Sequence, residues 1–245
     1  MGGARLIRLA DKLGGIDSVV TASQAALRQA GLDAEAISAI KNPDNSLLDQ
    51  DSRWLSETDH HLLTWDNERY PALLRDIPSP PAALFVEGDP DVLWQPQIAV
   101  IGSRNPTAGG RDNALDFSAE LSRQGLTITS GMASGIDSCA HMAALNAGGM
   151  TVAVTGTGLD RVYPASSREL AKKIRQRGVL VSELPTGTGA KRSHFPSRNR
   201  IISGLSLGVL VIEAGLTSGT LITARMAGNQ GRDVFALPGS MHNPM

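Results

Sequence analysis

The second part of the chain alternates short apolar runs with segments of helical length. After Pro96, six runs rich in β-branched residues follow one another: QIAVIGS, LTITSG, TVAVTG, VLVSEL, LGVLVIEA and DVFALPG. Strands that are apolar throughout and alternate with helices form a parallel sheet that helices cover on both faces. The sequence therefore predicts an α/β, Rossmann-like domain with a mostly parallel sheet.

The first part of the chain has a different pattern. Apolar residues recur at helical spacing in residues 6–13 and 26–30, and glycines follow both stretches. This pattern predicts a small all-helical domain over residues 1–60, ahead of an extended Rossmann-like domain over residues 61–245.

The segment that joins the two parts contains polar and proline-rich stretches. Residues 44–51 are polar and are interpreted as a connector, and residues 54–63 as one more amphipathic helix. The runs LLTW and ALFVEG then flank a stretch that contains several prolines. Because proline has no N–H for a sheet hydrogen bond, we expect these two strands at an edge of the sheet.

Composition excludes several classes of protein. The net charge is −1, so a nucleic-acid site has to be a local feature. No apolar run approaches the roughly 18 to 20 residues of a membrane span, and the N-terminus lacks a signal peptide's apolar stretch, so we expect a cytoplasmic location without membrane contact. With one cysteine, and five histidines that include no pair at i, i+4 spacing, we expect neither a disulfide nor a metal site.

The loops that follow the predicted strands are rich in glycine and hydroxyl residues, including Ser103, Gly131, Ser218, Gly219 and Thr220. Ligands of parallel sheets bind at the carboxyl ends of the strands, where glycine admits close backbone approach and helix N–H groups attract anions. A strand-to-helix turn also needs glycine and a hydroxyl cap, so each loop alone fits that structural role equally well. Their coincidence at one edge of the sheet favours a phosphate-binding surface.

Known enzyme motifs are incomplete in these loops. The first turn reads GSRNPTAGG rather than G-x-G-x-x-G, and GTGAKRS lacks the spacing of a phosphate-binding P-loop. The carboxylates near strand ends, including Asp137 and Glu213, have no neighbouring base and are interpreted as caps of loops and helices. The sequence therefore predicts neither a cofactor nor catalysis.

A basic segment lies between Glu183 and Glu213, which enclose no other acidic residue. It combines cations with an aromatic ring and a predicted helix start. Its members are Lys191, Arg192, Phe195, Arg198, Asn199 and Arg200. Cations of this kind contact the phosphates of a single strand, and a ring stacks on its unpaired bases. A short basic run is also typical of a solvated face, so composition alone leaves both interpretations open.

Seven blocks of sequence resemble the signature of the DNA-processing protein A (DprA/Smf) family, in the same order. They are GSR at 102–104, SGMASGID at 130–137, GLDRVYP at 158–164, SELP at 182–185, FPSRNRIISGLS at 195–206, EAGLTSGTLITA at 213–224 and GRDVFALPG at 231–239. The helical start is similar to the family's SAM-like or helix-hairpin domain. The sequence departs from the family in ending before its usual S-x-G-x-N segment and in lacking its optional winged-helix domain.

The resemblance implies a protein of natural transformation and DNA uptake that binds single-stranded DNA without catalysis. It also implies that the protein overcomes the single-strand-binding protein, loads a RecA-type recombinase and forms homodimers. The family's DNA pocket corresponds here to Arg104, Lys191 or Arg192, Phe195, Arg198 and Arg200, with atoms of the neighbouring glycine loops.

Two other classes of function stay open. The related Rossmann-like superfamily includes nucleotide phosphoribohydrolases with a PGGxGT loop, and residues 215–220 read GLTSGT, which keeps the Gly-Thr pair but lacks the paired glycines. A pure adaptor would keep the core and lose the basic segment, which this chain retains. DNA binding without catalysis is therefore our prediction, and a nucleotide-binding hydrolase is the alternative.

Overall fold

A single eight-stranded sheet forms the centre of the computed structural model, which describes residues 2–215 and 218–239. Its strands are β1 (His60–Thr64), β2 (Ala83–Gly88), β3 (Gln97–Gly102), β4 (Thr127–Ser130), β5 (Thr151–Val154), β6 (Gly178–Ser182), β7 (Gly208–Glu213) and β8 (Asp233–Ala236). The strand order is β1-β2-β6-β5-β4-β3-β7-β8. Strands β3 to β8 pair in parallel, whereas β2 pairs antiparallel with β1 and β6. The mostly parallel sheet is confirmed, with the two proline-flanked strands at one edge.

Helices cover both faces of this sheet, as predicted. They are α1 (Gly3–Leu13), α2 (Ile16–Thr21), α3 (Gln24–Gln29), α4 (Ala34–Lys41), α5 (Asn45–Leu55), α6 (Ala72–Arg75), α7 (Ala108–Arg123), α8 (Ile136–Asn146), α9 (Arg168–Arg177), α10 (His194–Leu205) and α11 (Thr220–Asn229). Alternate residues of each strand face opposite sides, so Ala99 and Ile101 pack with α10 while Val100 packs with α7 and α8. In the described residues, no helix is long and apolar enough to cross a membrane.

The first four helices enclose a small core of their own, to which Leu9, Val19, Leu27 and Ile37 contribute. Helix α5 instead packs on the sheet through Trp54, whose ring lies 5.8 Å from that of Phe85. The division of the chain at residue 60 stays a prediction.

Two predictions for the joining segment are wrong. The supposed connector over residues 44–51 belongs mostly to α5, and the supposed helix over residues 54–63 ends at Leu55 and gives way to β1 at His60. The physical reason is local, because the Asp44 side chain caps α5 by accepting a hydrogen bond from the Ser46 N–H at 2.9 Å. The polar residues that suggested a connector form the largely exposed surface of a capped helix.

The strand order reverses direction between β3 and β7. From β3 the chain adds β4, β5 and β6 in turn, with α7, α8 and α9 on one face, and α10 then crosses the other face to place β7 beside β3. The loops after β3 and β7 therefore lead away from each other, and the crevice between such loops is where open α/β sheets bind ligands.

Candidate functional site

A cleft of about 620 Å³ opens beyond the ends of β3 and β7. Most of the residues predicted from the sequence as a binding site line this cleft. These are Ser103, Arg104, Arg192, Phe195, Arg198, Asn199, Ser218, Gly219 and Thr220. The structure places Gly131, Lys191 and Arg200 outside the lining.

The loop that carries Arg104 is fixed by backbone contacts on two sides. The Ser103 N–H donates to the Glu213 carbonyl at 2.8 Å, and the Ser103 carbonyl accepts from the Ile136 N–H at 3.1 Å. Gly135 has φ of +83°, and a Cβ there would collide with the carbonyl oxygens of Ser103 and Arg104. Glycine therefore lets α8 approach the loop closely enough to hold it.

Two carboxylates near the cleft hold loops, as the sequence predicted. The Glu213 carboxylate accepts hydrogen bonds from the Thr107 N–H at 3.1 Å and from Thr107 Oγ1 at 2.5 Å. Asp137 accepts from the Ala133 N–H at 3.2 Å. Both carboxylates thus stabilise turns at the ends of the strands.

The rim of the cleft carries two aromatic rings and a cation in contact. The Arg104 guanidinium carbon lies 5.9 Å from the centre of the Phe195 ring, and the Tyr163 ring lies 5.4 Å from the same ring. Tyr163 is 52% exposed and lines the cleft, although it was not among the predicted site residues. Its sequence signal was present in the GLDRVYP block, as an aromatic residue in a strand-end loop.

Arg198 lies at the base of the cleft with only 5% of its surface exposed. Its Nη1 donates to the Gly131 carbonyl at 2.6 Å and also to the Val154 carbonyl. Burial lowers the pKa of Arg198 to about 10, and the nearby Asp137 carboxylate opposes this effect. The side chain therefore stays charged at neutral pH and ties the ends of β4 and β5 to α10.

Arg200, two residues further on, is held by an ion pair. Its Nη1 and Nη2 lie 2.8 and 2.5 Å from the two oxygens of Glu183, and its Nε donates to the Ser79 carbonyl at 2.9 Å. By contrast, Arg104, Lys191 and Arg192 are exposed and make no ion pair within the residues that the structure describes. The available positive charge of this region therefore lies on these three side chains.

Known proteins share this sequence and this fold. Residues 61–245 match the family of DNA recombination-mediator protein A. Protein Smf of Escherichia coli (strain K12) is 44% identical over 230 residues, which cover 94% of this chain and 60% of that protein. This chain thus spans less than two thirds of the length of that relative.

Two solved structures are also similar. DNA processing protein A from Streptococcus pneumoniae has a TM-score of 0.87 at 35% identity and covers 98% of this chain and 83% of its own. DNA processing protein A from Helicobacter pylori has a TM-score of 0.69 at 30% identity and covers 75% of this chain and 82% of its own; its structure concerns the single-stranded-DNA binding mode of that protein. The family match at residues 61–245 covers the sheet and every residue that lines the cleft, and on these grounds the chain belongs to the DNA recombination-mediator protein A (DprA/Smf) family.

Proposed function

We propose that this chain binds single-stranded DNA in the cleft and carries out no chemistry on it. The observation that carries the proposal is the exposed Arg104 beside the ring pair of Phe195 and Tyr163. An arginine attracts phosphate, and exposed rings stack on bases that have no partner strand. The single-stranded-DNA binding of the Helicobacter pylori relative supports the same assignment.

The other residues of the region take different parts in this proposal. Arg192 and its neighbour Lys191 supply further phosphate contacts, because both are exposed and unpaired within the described residues. The polar and glycine residues of the lining complete the contact surface. These are Ser103, Asn199, Ser218, Gly219 and Thr220.

The remaining predicted residues support the surface from beneath or beside it. Arg198 and Gly131 are joined by a hydrogen bond under the cleft, and Arg200 is paired with Glu183 outside it. We therefore assign Arg198, Gly131 and Arg200 to holding the strand ends and α10 in place.

We propose a cytoplasmic role in which the bound strand passes to a RecA-type recombinase during DNA uptake in natural transformation, in competition with the single-strand-binding protein. The family description as a recombination mediator supports this step. A protein that hands over a strand has to bind the DNA backbone without modifying it, and a cleft of cations and stacking rings suits that task.

We also propose that the chain acts as a homodimer. Among the described strands, β8 pairs only with β7, and all four of its residues are exposed. Phe235 on this strand is 53% exposed. An apolar edge strand with free backbone groups favours pairing with a second chain.

The alternative of a nucleotide hydrolase has less support. Glu213, a carboxylate at the end of β7, is occupied by hydrogen bonds from the Thr107 N–H and hydroxyl, and Asp137, which lines the cleft, accepts from the Ala133 N–H. A base has to reach the proton that it removes, and a carboxylate that caps a turn is poorly suited to that role.

Titration of the protein with fluorescent oligonucleotides tests the proposed function. We expect a single strand to bind more tightly than a duplex of the same sequence, because the duplex keeps its base faces stacked. Equal or tighter binding of the duplex would contradict the proposal.

A further inference from the structure

Helix α5 contacts the loop that leads from β6 to the basic residues. Asp51 Oδ1 accepts hydrogen bonds from the Thr186 N–H at 2.9 Å and from Thr186 Oγ1 at 2.7 Å. Thr186 is only 5% exposed. Its neighbour Gly187 has φ of +78°, and a Cβ there would lie 3.0 Å from Gln50 Nε2. Asp51 thus holds Thr186 by two hydrogen bonds, and the neighbouring Gln50 leaves little room beside Gly187.

The loop is also held on its other side. Asp160 Oδ1 accepts from the Gly187 N–H at 2.9 Å, and the Thr188 carbonyl accepts from the Gly158 N–H at 3.0 Å. Residues 186–188 are therefore held by hydrogen bonds between α5 on one side and the loop after β5 on the other. The loop after β5 also carries Tyr163. From these residues the chain continues to Lys191, Arg192 and then α10.

Helix α5 is itself fixed to the sheet and can serve as an anchor. The Trp54 ring stacks on His60 of β1 with 4.0 Å between the ring centres, and His60 Nδ1 lies 2.7 Å from the Trp54 carbonyl. Neighbouring cations repel each other, so an unsupported loop of this kind would have to be ordered when a ligand binds. Ordering it in advance lowers that cost and strengthens binding.

We propose that Asp51 is a positioning residue for the cleft. It holds the loop of residues 183–193, called here the basic loop, so that Lys191 and Arg192 of this loop and Phe195 of α10 meet the same ligand. This inference rests on the proposed binding of single-stranded DNA. It extends the site to a helix outside the matched family region of residues 61–245. Replacing Asp51 should therefore weaken binding of single-stranded DNA. By charge alone, the loss of an acidic residue would instead strengthen binding of a polyanion.

The test compares two alanine variants of the full chain that lose the same charge from the same helix. Asp51→Ala loses the contact with Thr186, whereas Asp49→Ala alters an exposed side chain that makes no hydrogen bond or ion pair within the described residues. We expect Asp51→Ala to weaken binding of a single-stranded oligonucleotide about 10-fold, as for the loss of hydrogen bonds to a charged acceptor. Asp49→Ala should bind at least as tightly as the parent.

Two further variants separate positioning from a general loss of structure. Asp51→Asn keeps an acceptor oxygen for Thr186 and should recover most of the affinity. Thr186→Val removes the hydroxyl from the loop side and should reproduce part of the loss with α5 unchanged. Circular dichroism establishes that each variant is folded, and Asp51→Ala binding as tightly as folded Asp49→Ala would overturn the proposal.

Hydrogen exchange without DNA distinguishes this inference from the proposed function. We expect faster exchange of the amides in residues 186–193 in Asp51→Ala but not in Asp49→Ala. If the parent binds no single-stranded DNA, the proposed function is wrong, and Asp51 then has no role in DNA binding. If the loop amides exchange equally in both variants, the positioning role is wrong whatever the parent binds.

Discussion

The arginines around the cleft differ in what their guanidinium groups contact. Arg104 is exposed and lies over an aromatic ring, Arg198 is buried against two backbone carbonyls, and Arg200 is paired with Glu183. Only an exposed cation without a partner can release counterions from DNA when it binds a phosphate. We therefore expect the salt dependence of DNA binding to come from Arg104 and the exposed residues of the basic loop.

Replacing Arg104 with alanine should flatten the salt dependence of binding. Each phosphate contact on a single strand contributes about 0.7 to the slope of log affinity against log salt concentration, so Arg104→Ala should lower that slope by about 0.7. Oligonucleotide titrations at several salt concentrations measure it. Arg123→Ala is the matched control, because Arg123 lies at the end of α7 and pairs with Glu120. An unchanged slope in Arg104→Ala, or an equal decrease in Arg123→Ala, would contradict the assignment.

The aromatic pair should contribute to affinity without affecting the salt dependence. Stacking on a base contributes about 1–3 kcal/mol, so we expect Tyr163→Ala and Phe195→Ala each to weaken binding by that amount with the salt slope unchanged. Tyr163→Phe keeps the ring and should bind like the parent. Tyr163 is largely exposed, so its loss should leave the melting temperature almost unchanged. Parental affinity in folded Tyr163→Ala would exclude this ring from the site.

The sequence identifies the basic segment but does not show which of its residues contact a ligand and which hold the fold. Arg198 and Arg200 appear equivalent in FPSRNR, yet their partners are the Gly131 carbonyl and Glu183, which the fold brings close. Tyr163 went unrecognised as a site residue for the same reason, since its contact with Phe195 joins the loop after β5 to the start of α10, which are separate in the chain. The charges and aromatic rings in a sequence indicate the kind of ligand. Tertiary contacts decide which of these side chains are available to bind it.

At the scale of elements, helix α8 carries a buried histidine whose protonation state follows from its contacts. The Thr151 hydroxyl donates to the Ile128 carbonyl at 2.6 Å, so His141 Nδ1, which lies 2.6 Å from Thr151 Oγ1, is the nitrogen that carries the hydrogen. Burial, together with the nearby charge on Arg198, lowers the pKa of His141 to about 3. The histidine is therefore neutral in the folded protein.

This histidine should make the protein less stable in acid. Below its ordinary pKa of about 6.5, the unfolded chain takes up a proton that the folded chain does not, so the free energy of unfolding falls by up to about 1.4 kcal/mol per pH unit down to about pH 3. His141→Asn can keep a donor to Thr151 without this proton uptake. Its stability should therefore fall less steeply than that of the parent in denaturant titrations between pH 6.5 and 4. Parallel curves for the two proteins would refute the assignment.

The elements themselves were predictable to different degrees. Strands β3 to β7 stood out because a buried parallel strand is apolar along most of its length and glycines mark the turns. Helix α5 did not, because its sequence is mostly polar and its one buried side chain, Trp54, packs against the distant strand β2. A helix with one buried apolar side chain gives little periodic signal.

At the scale of the whole molecule, the edge formed by β8 should govern the oligomeric state. We expect Phe235→Asp to convert a dimer into a monomer in sedimentation experiments, because a charge on the edge strand has to be desolvated when two chains pair. Phe117→Asp is the matched control, since Phe117 is 42% exposed but lies on α7. A monomeric parent, or a dimer that persists in Phe235→Asp, would show that the edge has no such role.

The two walls of the cleft lie far apart along the chain. The hydrogen bond between Thr107 and Glu213 spans 106 residues, so β3 leaves the ribosome well before β7 can pair with it. At a synthesis rate of about 5–20 residues per second, that distance corresponds to about 5–20 s. A nascent chain that has emerged only as far as α9 presents Arg104 and Tyr163 without Phe195, Arg192 or the support of Glu213. Synthesis of the protein thus separates the appearance of its first cation from the completion of the cleft, and an unfinished chain has no formed site in which to hold a nucleic acid.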